Sequence, residues 1–263
     1  MQKRTSTVLA AVLFGSISIF SLSSCGSRAD WSNVTIIAHA CGGIDSNTYT
    51  NSAEALDNCI SSGCEAVEID FRFTSDSVLV CAHDWQNHHS DAPPTLNDFK
   101  KRKIKGKYTP MTAKEALAKL ASTPIYLVID TKENDVTSVY KEIEQIVSSL
   151  DSAAGYKKML VPQVYSKENF AAVQKISEYQ NWIFTVYKLH PRTDGEFEDI
   201  AEFCKKNGIG TVTMPKAMVN EKRIRMFDDK GIRVATHTVN GEWYMEELKQ
   251  MGVGVFYSDF LRK

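Results

Sequence analysis

Eight apolar runs of strand length recur along this chain with helical spacing between them, and that alternation restricts the folds open to it. The runs lie at 34–39 (VTIIAH), 65–71 (EAVEIDF), 125–130 (IYLVID), 159–164 (MLVPQV), 182–187 (WIFTVY), 210–214 (GTVTM), 232–236 (IRVAT) and 253–257 (VGVFY). Helical patterns fall near 52–62, 112–121, 135–150, 167–179, 196–207, 219–229 and 242–250. Continuous Val- and Ile-rich runs separated by helices are how strands buried on both faces of a parallel sheet read. Eight such units predict a (β/α)8 TIM barrel, with one additional strand candidate at 78–82 (VLVCA). A doubly wound open sheet is the runner-up. No Gly-x-Gly-x-x-Gly turn follows the first run, which argues against a dinucleotide-binding version. No internal repeat or long linker divides residues 34–263, so a single domain is expected.

The first 24 residues read as an address and not as part of that barrel. Lys3 and Arg4 precede an apolar stretch from Val8 to Leu22, which at 15 residues is short for a membrane span and fits a signal-peptide core. Leu22-Ser23-Ser24-Cys25 then resembles a bacterial lipobox, which implies cleavage after residue 24, acylation of Cys25 and a short tether over 25–33. The expectation is an exported, membrane-anchored bacterial lipoprotein, held to the membrane by its N-terminal lipid. With 31 Lys+Arg against 32 Asp+Glu, no broad cationic surface exists for a nucleic-acid partner. One local exception is the basic run Lys100, Lys101, Arg102, Lys103, Lys105 and Lys107, inside the long irregular stretch 84–111. It reads as a solvated loop, with anionic lipid or a phosphorylated polymer as the other reading.

Chemistry-bearing residues gather at the ends of the early runs. His39 closes the first, Glu68 and Asp70 share one face of the second, and His83 follows the 78–82 run. Asp130 and Lys132 repeat the two-residue spacing after the third major run. In a barrel the C-terminal strand ends converge on one rim, so these six side chains can meet there. Three carboxylates with no thiolate suit a hard divalent cation, Mg2+ or Ca2+, over zinc. Two imidazoles can act as general base and general acid, and a lysine can neutralise a phosphate oxygen. A lone strand-end histidine is more often structural. A Glu-x-Asp pair within an apolar run is harder to dismiss, because buried carboxylates are costly unless paired or metal-bound.

These segments resemble the glycerophosphodiester phosphodiesterase family, a metal-dependent barrel superfamily that includes phosphatidylinositol-phospholipase-like members. The matching pieces are Ile37-Ala38-His39, Asn51 to Leu56, Glu68-Ile69-Asp70, Thr74 to Val80 leading into His83-Asp84, Asp130-Thr131-Lys132, Thr238-Val239-Asn240, and Met251 to Asp259. The resemblance spans about 37–260. It implies His39 and His83 as the acid/base pair, Glu68, Asp70 and Asp130 as metal ligands, and Lys132 on the substrate phosphate. The activity implied is hydrolysis of glycerophosphodiesters, or of related phospholipid-derived or wall-polymer phosphodiesters. Asn51 is expected as a further polar substrate contact and Gln163 as a weaker one. Tyr49, Tyr165 and His237 are possible rim residues.

Two departures from the family pattern bear on the substrate. Ala40 stands where most members carry an Arg after the first His, and Asp130 stands where a Glu is usual. Both resemble the sphingomyelinase D-like branch, which is one alternative activity. A non-catalytic surface lipoprotein that binds a phosphorylated ligand is another, and a two-lobed solute-binding protein is disfavoured by the single series of βα units. Of the remaining cysteines, Cys41, Cys59, Cys64, Cys81 and Cys204, five cannot all pair, and no Cys-x-x-Cys spacing occurs. Free, buried thiols are expected, with Cys59 and Cys64 able to bridge under oxidant.

Overall fold

The computed structural model describes residues 30–150 and 153–262. The apolar leader and Cys25 lie outside the described residues. Among the described residues no helix is long and apolar enough to cross a membrane.

All eight major runs form strands: β1 (Ile36–Ala38), β2 (Ala66–Phe73), β4 (Tyr126–Thr131), β5 (Leu160–Val164), β6 (Ile183–Thr185), β7 (Thr211–Pro215), β8 (Arg233–His237) and β9 (Val255–Ser258). They pair in parallel in that order, and β1 pairs with both β2 and β9, so the sheet closes on itself. The result is a closed eight-stranded parallel barrel with flanking helices, and the open-sheet alternative is excluded. The remaining strand, β3 (Leu79–Cys81), is the extra candidate. It lies antiparallel on the end of β2, with Phe71 opposite Cys81. Six of the β2 residues, Ala66 to Phe71, are buried on both faces, as the near-continuous apolar run required.

The helices are α1 (Ala53–Ser61), α2 (Leu96–Lys101), α3 (Ala113–Leu120), α4 (Val136–Ser149), α5 (Lys167–Val173), α6 (Asp194–Lys206), α7 (Glu221–Asp228) and α8 (Glu242–Gln250). Seven of the eight starts are capped by side chains, α8 beginning at Gly241 without one: Ser52 accepts from the Ala55 amide, and Thr112 with Glu115 forms a capping box, as does Thr193 with Glu196.

Three details differ from the sequence reading. The stretch 84–111 is not irregular throughout, since it contains a 3-10 turn at Gln86–His88 and the helix α2. Six residues are too few for a periodic signal, and α2 is fixed by Phe99, which is buried in a satellite core with Val80, Ala82 and Trp85. Helix α5 stops at Val173, not near 179, because Tyr179 turns to pack on Tyr140 and Trp182. Residues 31–33, expected as the end of a tether, pack on the barrel: Trp31 is buried against Tyr126, and Arg233 donates to the Trp31, Ser32 and Val34 carbonyls.

Four of the six basic residues of the 100–107 run already have partners. Lys100 pairs with Glu115 at 2.8 Å, Lys103 donates to Thr109, Arg102 to the His89 carbonyl, and Lys107 pairs with Asp45. Two of these partners are carboxylates, and that engagement favours a solvated loop over an anion-binding one. Cys41, Cys59, Cys64, Cys81 and Cys204 are all free and buried.

Candidate active site

The parallel register between β2 and β4 places Asp70 directly opposite Asp130. Glu68, two residues earlier on β2, points to the same side of the sheet. Oxygen atoms of all three carboxylates fall within 4.8 Å of one another, and all three residues are buried. Lys132 reaches back across the pair, its Nζ 2.6 Å from Asp130 Oδ2 and 2.9 Å from Asp70 Oδ1.

Each carboxylate is held from outside the cluster. The Ala40 amide donates to Glu68 Oε2 at 2.7 Å, and the Tyr165 hydroxyl donates to Asp130 Oδ1 at 2.7 Å. Asn51 donates from Nδ2 to Asp70 Oδ2 at 2.7 Å while its Oδ1 accepts the Asp70 amide at 3.1 Å. With both ends of its carboxamide committed, Asn51 faces Asp70 and does not line the pocket. Its position differs from that of the substrate contact expected from sequence.

One ammonium does not balance three buried carboxylates. Burial, with the neighbouring Asp70 and Asp130 charges, drives the Glu68 carboxyl well above its usual range, and Glu68 Oε1 is buried with no hydrogen-bond partner. Burial disfavours the Lys132 ammonium, but the attraction of Asp130, Asp70 and Glu68 outweighs it and keeps the group firmly protonated. A surplus of buried negative charge with an orphaned oxygen is what a bound cation would satisfy, and an all-oxygen donor set selects a hard one. The residues present fit such an ion.

The two histidines flank this cluster and share a design. His39 follows β1 in a tight turn and donates from Nδ1 to Asp259 Oδ1 at 2.9 Å. Asp259 is fixed in turn by Asn240, whose Nδ2 donates to its Oδ2 and whose Oδ1 accepts its amide, both at 2.8 Å. His83 donates from Nδ1 to Asp84 Oδ2 at 2.9 Å, and Asp84 accepts from the Asn87 amide and side chain. The β2–β3 hairpin delivers His83 here: the Ala82 amide donates to the Asp70 carbonyl, so the next residue stands over the strand end. A carboxylate can only accept, so each ring carries its proton on Nδ1 and presents Nε2 to the pocket when neutral. The Tyr49 ring lies between the two imidazoles, 4.7 Å from each by ring centroids.

A cavity of about 400 Å³ opens at this rim, lined by both histidines, Tyr49, Glu68, Asp130, Lys132, Gln163 and Tyr165, with Tyr187, His237 and Tyr257 on the far wall. Gln163 accepts the Tyr257 hydroxyl at 2.5 Å and donates to the Tyr165 hydroxyl at 3.1 Å. Burial pushes the His237 imidazole down to about 4, so it is neutral near pH 7. The structure therefore brings His39, Glu68, Asp70, His83, Asp130 and Lys132 into one site. Sequence reasoning gave no role to Asp84, Asp259 or Asn240. The adjacent His-Asp at 83–84 was a signal for the first; Asp259 and Asn240 fell within matching family segments, but nothing in the sequence linked them to His39, 220 residues from Asp259.

The closed parallel barrel and this rim define a (β/α)8 enzyme whose site combines two carboxylate-held imidazoles with an oxygen-donor cluster able to hold a cation. The family model described as the Glycerophosphoryl diester phosphodiesterase family matches residues 42–263. The chain belongs to that family and is a phosphoric diester hydrolase of its kind. A relative named glycerophosphodiester phosphodiesterase from Bacillus subtilis (strain 168) is 27% identical over 227 residues, covering 75% of each chain.

Among solved structures, a glycerophosphodiester phosphodiesterase from Parabacteroides distasonis superposes with a TM-score of 0.67 at 18% identity, over 86% of this chain and 93% of that one. An Oleispira antarctica phosphodiesterase in complex with the product sn-glycerol-3-phosphate gives 0.67 at 16% identity, over 86% and 93%. A Thermotoga maritima enzyme of the same name gives 0.64 at 20% identity, over 86% and 94%. These likenesses support the barrel. The family match begins after His39, so the place of that residue rests on its geometry.

Proposed function

We propose that the protein is a cation-dependent phosphodiesterase that hydrolyses glycerophosphodiesters, or related phospholipid-derived or wall-polymer phosphodiesters. The observation that carries this reading is the orphaned Glu68 Oε1 within a buried three-carboxylate cluster that two carboxylate-held histidines flank. The product complex of the Oleispira antarctica phosphodiesterase supports the substrate class.

Glu68, Asp70 and Asp130 would hold Mg2+ or Ca2+. Such an ion, when bound, draws charge from the non-bridging phosphate oxygens. Lys132 contributes a fixed positive charge to the same oxygens, pinned by Asp70 and Asp130. One histidine takes the proton of the attacking water, or of a neighbouring substrate hydroxyl, as the new bond to phosphorus forms. The other gives its proton to the alkoxide as the bond to the leaving group breaks. Asp259 and Asp84 hold the two rings in the required tautomer, and Asn51 holds Asp70. Ala40 puts only its backbone amide into the site, which leaves Lys132 as the cationic side chain among the pocket-lining residues named above. Gln163 lines the pocket with its carboxamide held by Tyr257 and Tyr165, which supports a role beside the leaving group or glycerol.

Replacing each histidine by Ala and comparing two leaving groups tests the assignment. Loss of the general acid should lower turnover of an alkyl diester about 100-fold or more and spare a nitrophenyl diester, whose leaving group needs no proton. Loss of the general base should lower both. If both variants keep wild-type turnover on both substrates, the acid/base reading fails. Product mass analysis separates hydrolysis from cyclisation.

Residues 1–25 support export and anchoring through an acylated Cys25. Fatty-acid labelling that survives in Cys25→Ala would contradict this.

A further inference from the structure

Among the described residues, the exposed large hydrophobic side chains are Tyr187, Leu189, Trp243 and Phe260, at 50%, 43%, 78% and 43% exposure. They are not scattered. Tyr187 and Leu189 follow β6, Trp243 follows β8 and Phe260 follows β9, and β6, β7, β8 and β9 are consecutive in the barrel. All four therefore stand just past the C-terminal strand ends, on one arc of the rim that carries the pocket, with Trp243 in the first turn of α8. The arc is continuous with the pocket mouth: the Tyr187 ring lies 5.7 Å from that of His237, which lies 6.2 Å from Tyr257, and all three line the cavity.

The charges between them are mainly positive. Lys188 and Arg192 are interspersed with Tyr187, Leu189 and His190 along one exposed loop. The end of β7 adds exposed Lys216, whose Nζ lies 5.7 Å from the Tyr244 ring beside Trp243. Of the nearby acids, Asp194 is taken by Lys222 and Arg223, Glu196 accepts the Arg192 and Thr193 amides at the start of α6, and Glu242 precedes Trp243.

We propose that this arc is a docking surface for an anionic phospholipid bilayer. Indole and phenol rings settle at headgroup depth, where an apolar body and a polar tip are both satisfied, and lysine and arginine between them meet lipid phosphates. A protein partner covering the same side chains would close the pocket mouth. A bilayer would instead present phosphodiesters to it. The docking surface stands on exposure and charge alone; only its link to turnover rests on the phosphodiesterase reading.

The test uses residues 26–263, so that neither the apolar leader nor an acyl anchor plays a part. Trp31, Trp85 and Trp182 are each 6% exposed, so Trp243 serves as the reporter. Vesicles of phosphatidylglycerol and phosphatidylcholine should shift its emission to the blue, and brominated acyl chains should quench it. Pure phosphatidylcholine vesicles should bind several-fold more weakly. Trp243→Ala combined with Leu189→Ser should weaken vesicle binding about tenfold and lower hydrolysis of a vesicle-embedded lysophospholipid about as much, with a soluble glycerophosphodiester unaffected.

Absence of quenching, equal binding to pure phosphatidylcholine, or equal loss on soluble and embedded substrate overturns the proposal. A blue shift on raising protein concentration without lipid assigns the arc to a second copy of the chain and overturns it too. Quenching in a protein that hydrolyses no diester upholds the docking surface and sinks the phosphodiesterase reading instead.

Discussion

The two imidazoles of the site are each the front of a three-residue relay, His39–Asp259–Asn240 and His83–Asp84–Asn87. Asp259 is the more enclosed of the two carboxylates, and its bonds to His39 and Asn240 outweigh burial and hold its carboxyl below the usual range. Asp259→Asn keeps the shape but can donate to Nδ1, which favours the wrong tautomer. We predict a 10–100-fold fall in kcat with KM and Tm near wild type, the range for loss of a residue that orients a reacting group. A parallel collapse of Tm would mark the role as structural.

A second residue-scale prediction concerns His88, buried against Phe99 with its Nδ1 unpartnered. Burial pushes its imidazole from 6.5 down to about 4. The unfolded chain therefore takes up a proton below pH 6.5 that the folded chain refuses until about 4. The neutral ring's contribution is intact above pH 6.5 and is lost as pH falls through that window, by about 3 kcal/mol in all. Urea unfolding at pH 7 and pH 4.5 should show the loss in wild type and less of it in His88→Phe.

At the scale of elements, the turn after β1 does the finest positioning. Ala40 and Cys41 adopt left-handed backbone at φ 49° and 68°, conformations disfavoured for residues bearing a Cβ. That path aims the Ala40 amide at Glu68. Gly43 follows with its amide on the Asp259 carbonyl, and a Cβ there would sit 2.2 Å from Phe260 Cε1. Gly43→Ala should cost about 1–2 kcal/mol and reduce turnover, because the displaced ring neighbours the partner of His39. Phe260→Ala in the same chain should recover most of the stability, measured by denaturant midpoint, and a double mutant that is merely additive would contradict the clash.

The same turn shows where sequence legibility ends. Cys41-Gly42-Gly43 reads as a permissive turn, but nothing local says that Ala40 and Cys41, both bearing a Cβ, are left-handed. Helix α2 was hidden for a related reason. Its six residues are held by a satellite core assembled from distant segments, and no periodicity of its own records that.

Across the whole molecule, the strand and helix periods of Val34 to Tyr257 carry the barrel almost completely, since a strand buried on both faces leaves a continuous apolar run. The six chemistry-bearing residues were legible because parallel strands put their C-terminal ends on one rim. Asn51 was expected in the pocket from its place in a matching segment, and the structure turns it onto Asp70, a buried carboxylate that needs donors. Asp259 and Asn240 were matched as pieces of a pattern, but their contact with His39 depends on closure of β9 against β1. The exposed arc of the rim was invisible in the sequence, since exposure of single hydrophobic residues follows from tertiary packing.

The central claim is that the Glu68–Asp70–Asp130 cluster holds a cation required for phosphodiester cleavage beside the two histidines. Its most direct test is glycerophosphodiester hydrolysis by the chelated protein during titration with Mg2+ or Ca2+, together with Glu68→Gln. The account predicts activity below about 1% of maximum after chelation, full return on saturation at one ion per chain, and no return in Glu68→Gln. Turnover that persists unchanged after complete chelation, or that Glu68→Gln retains, would contradict it.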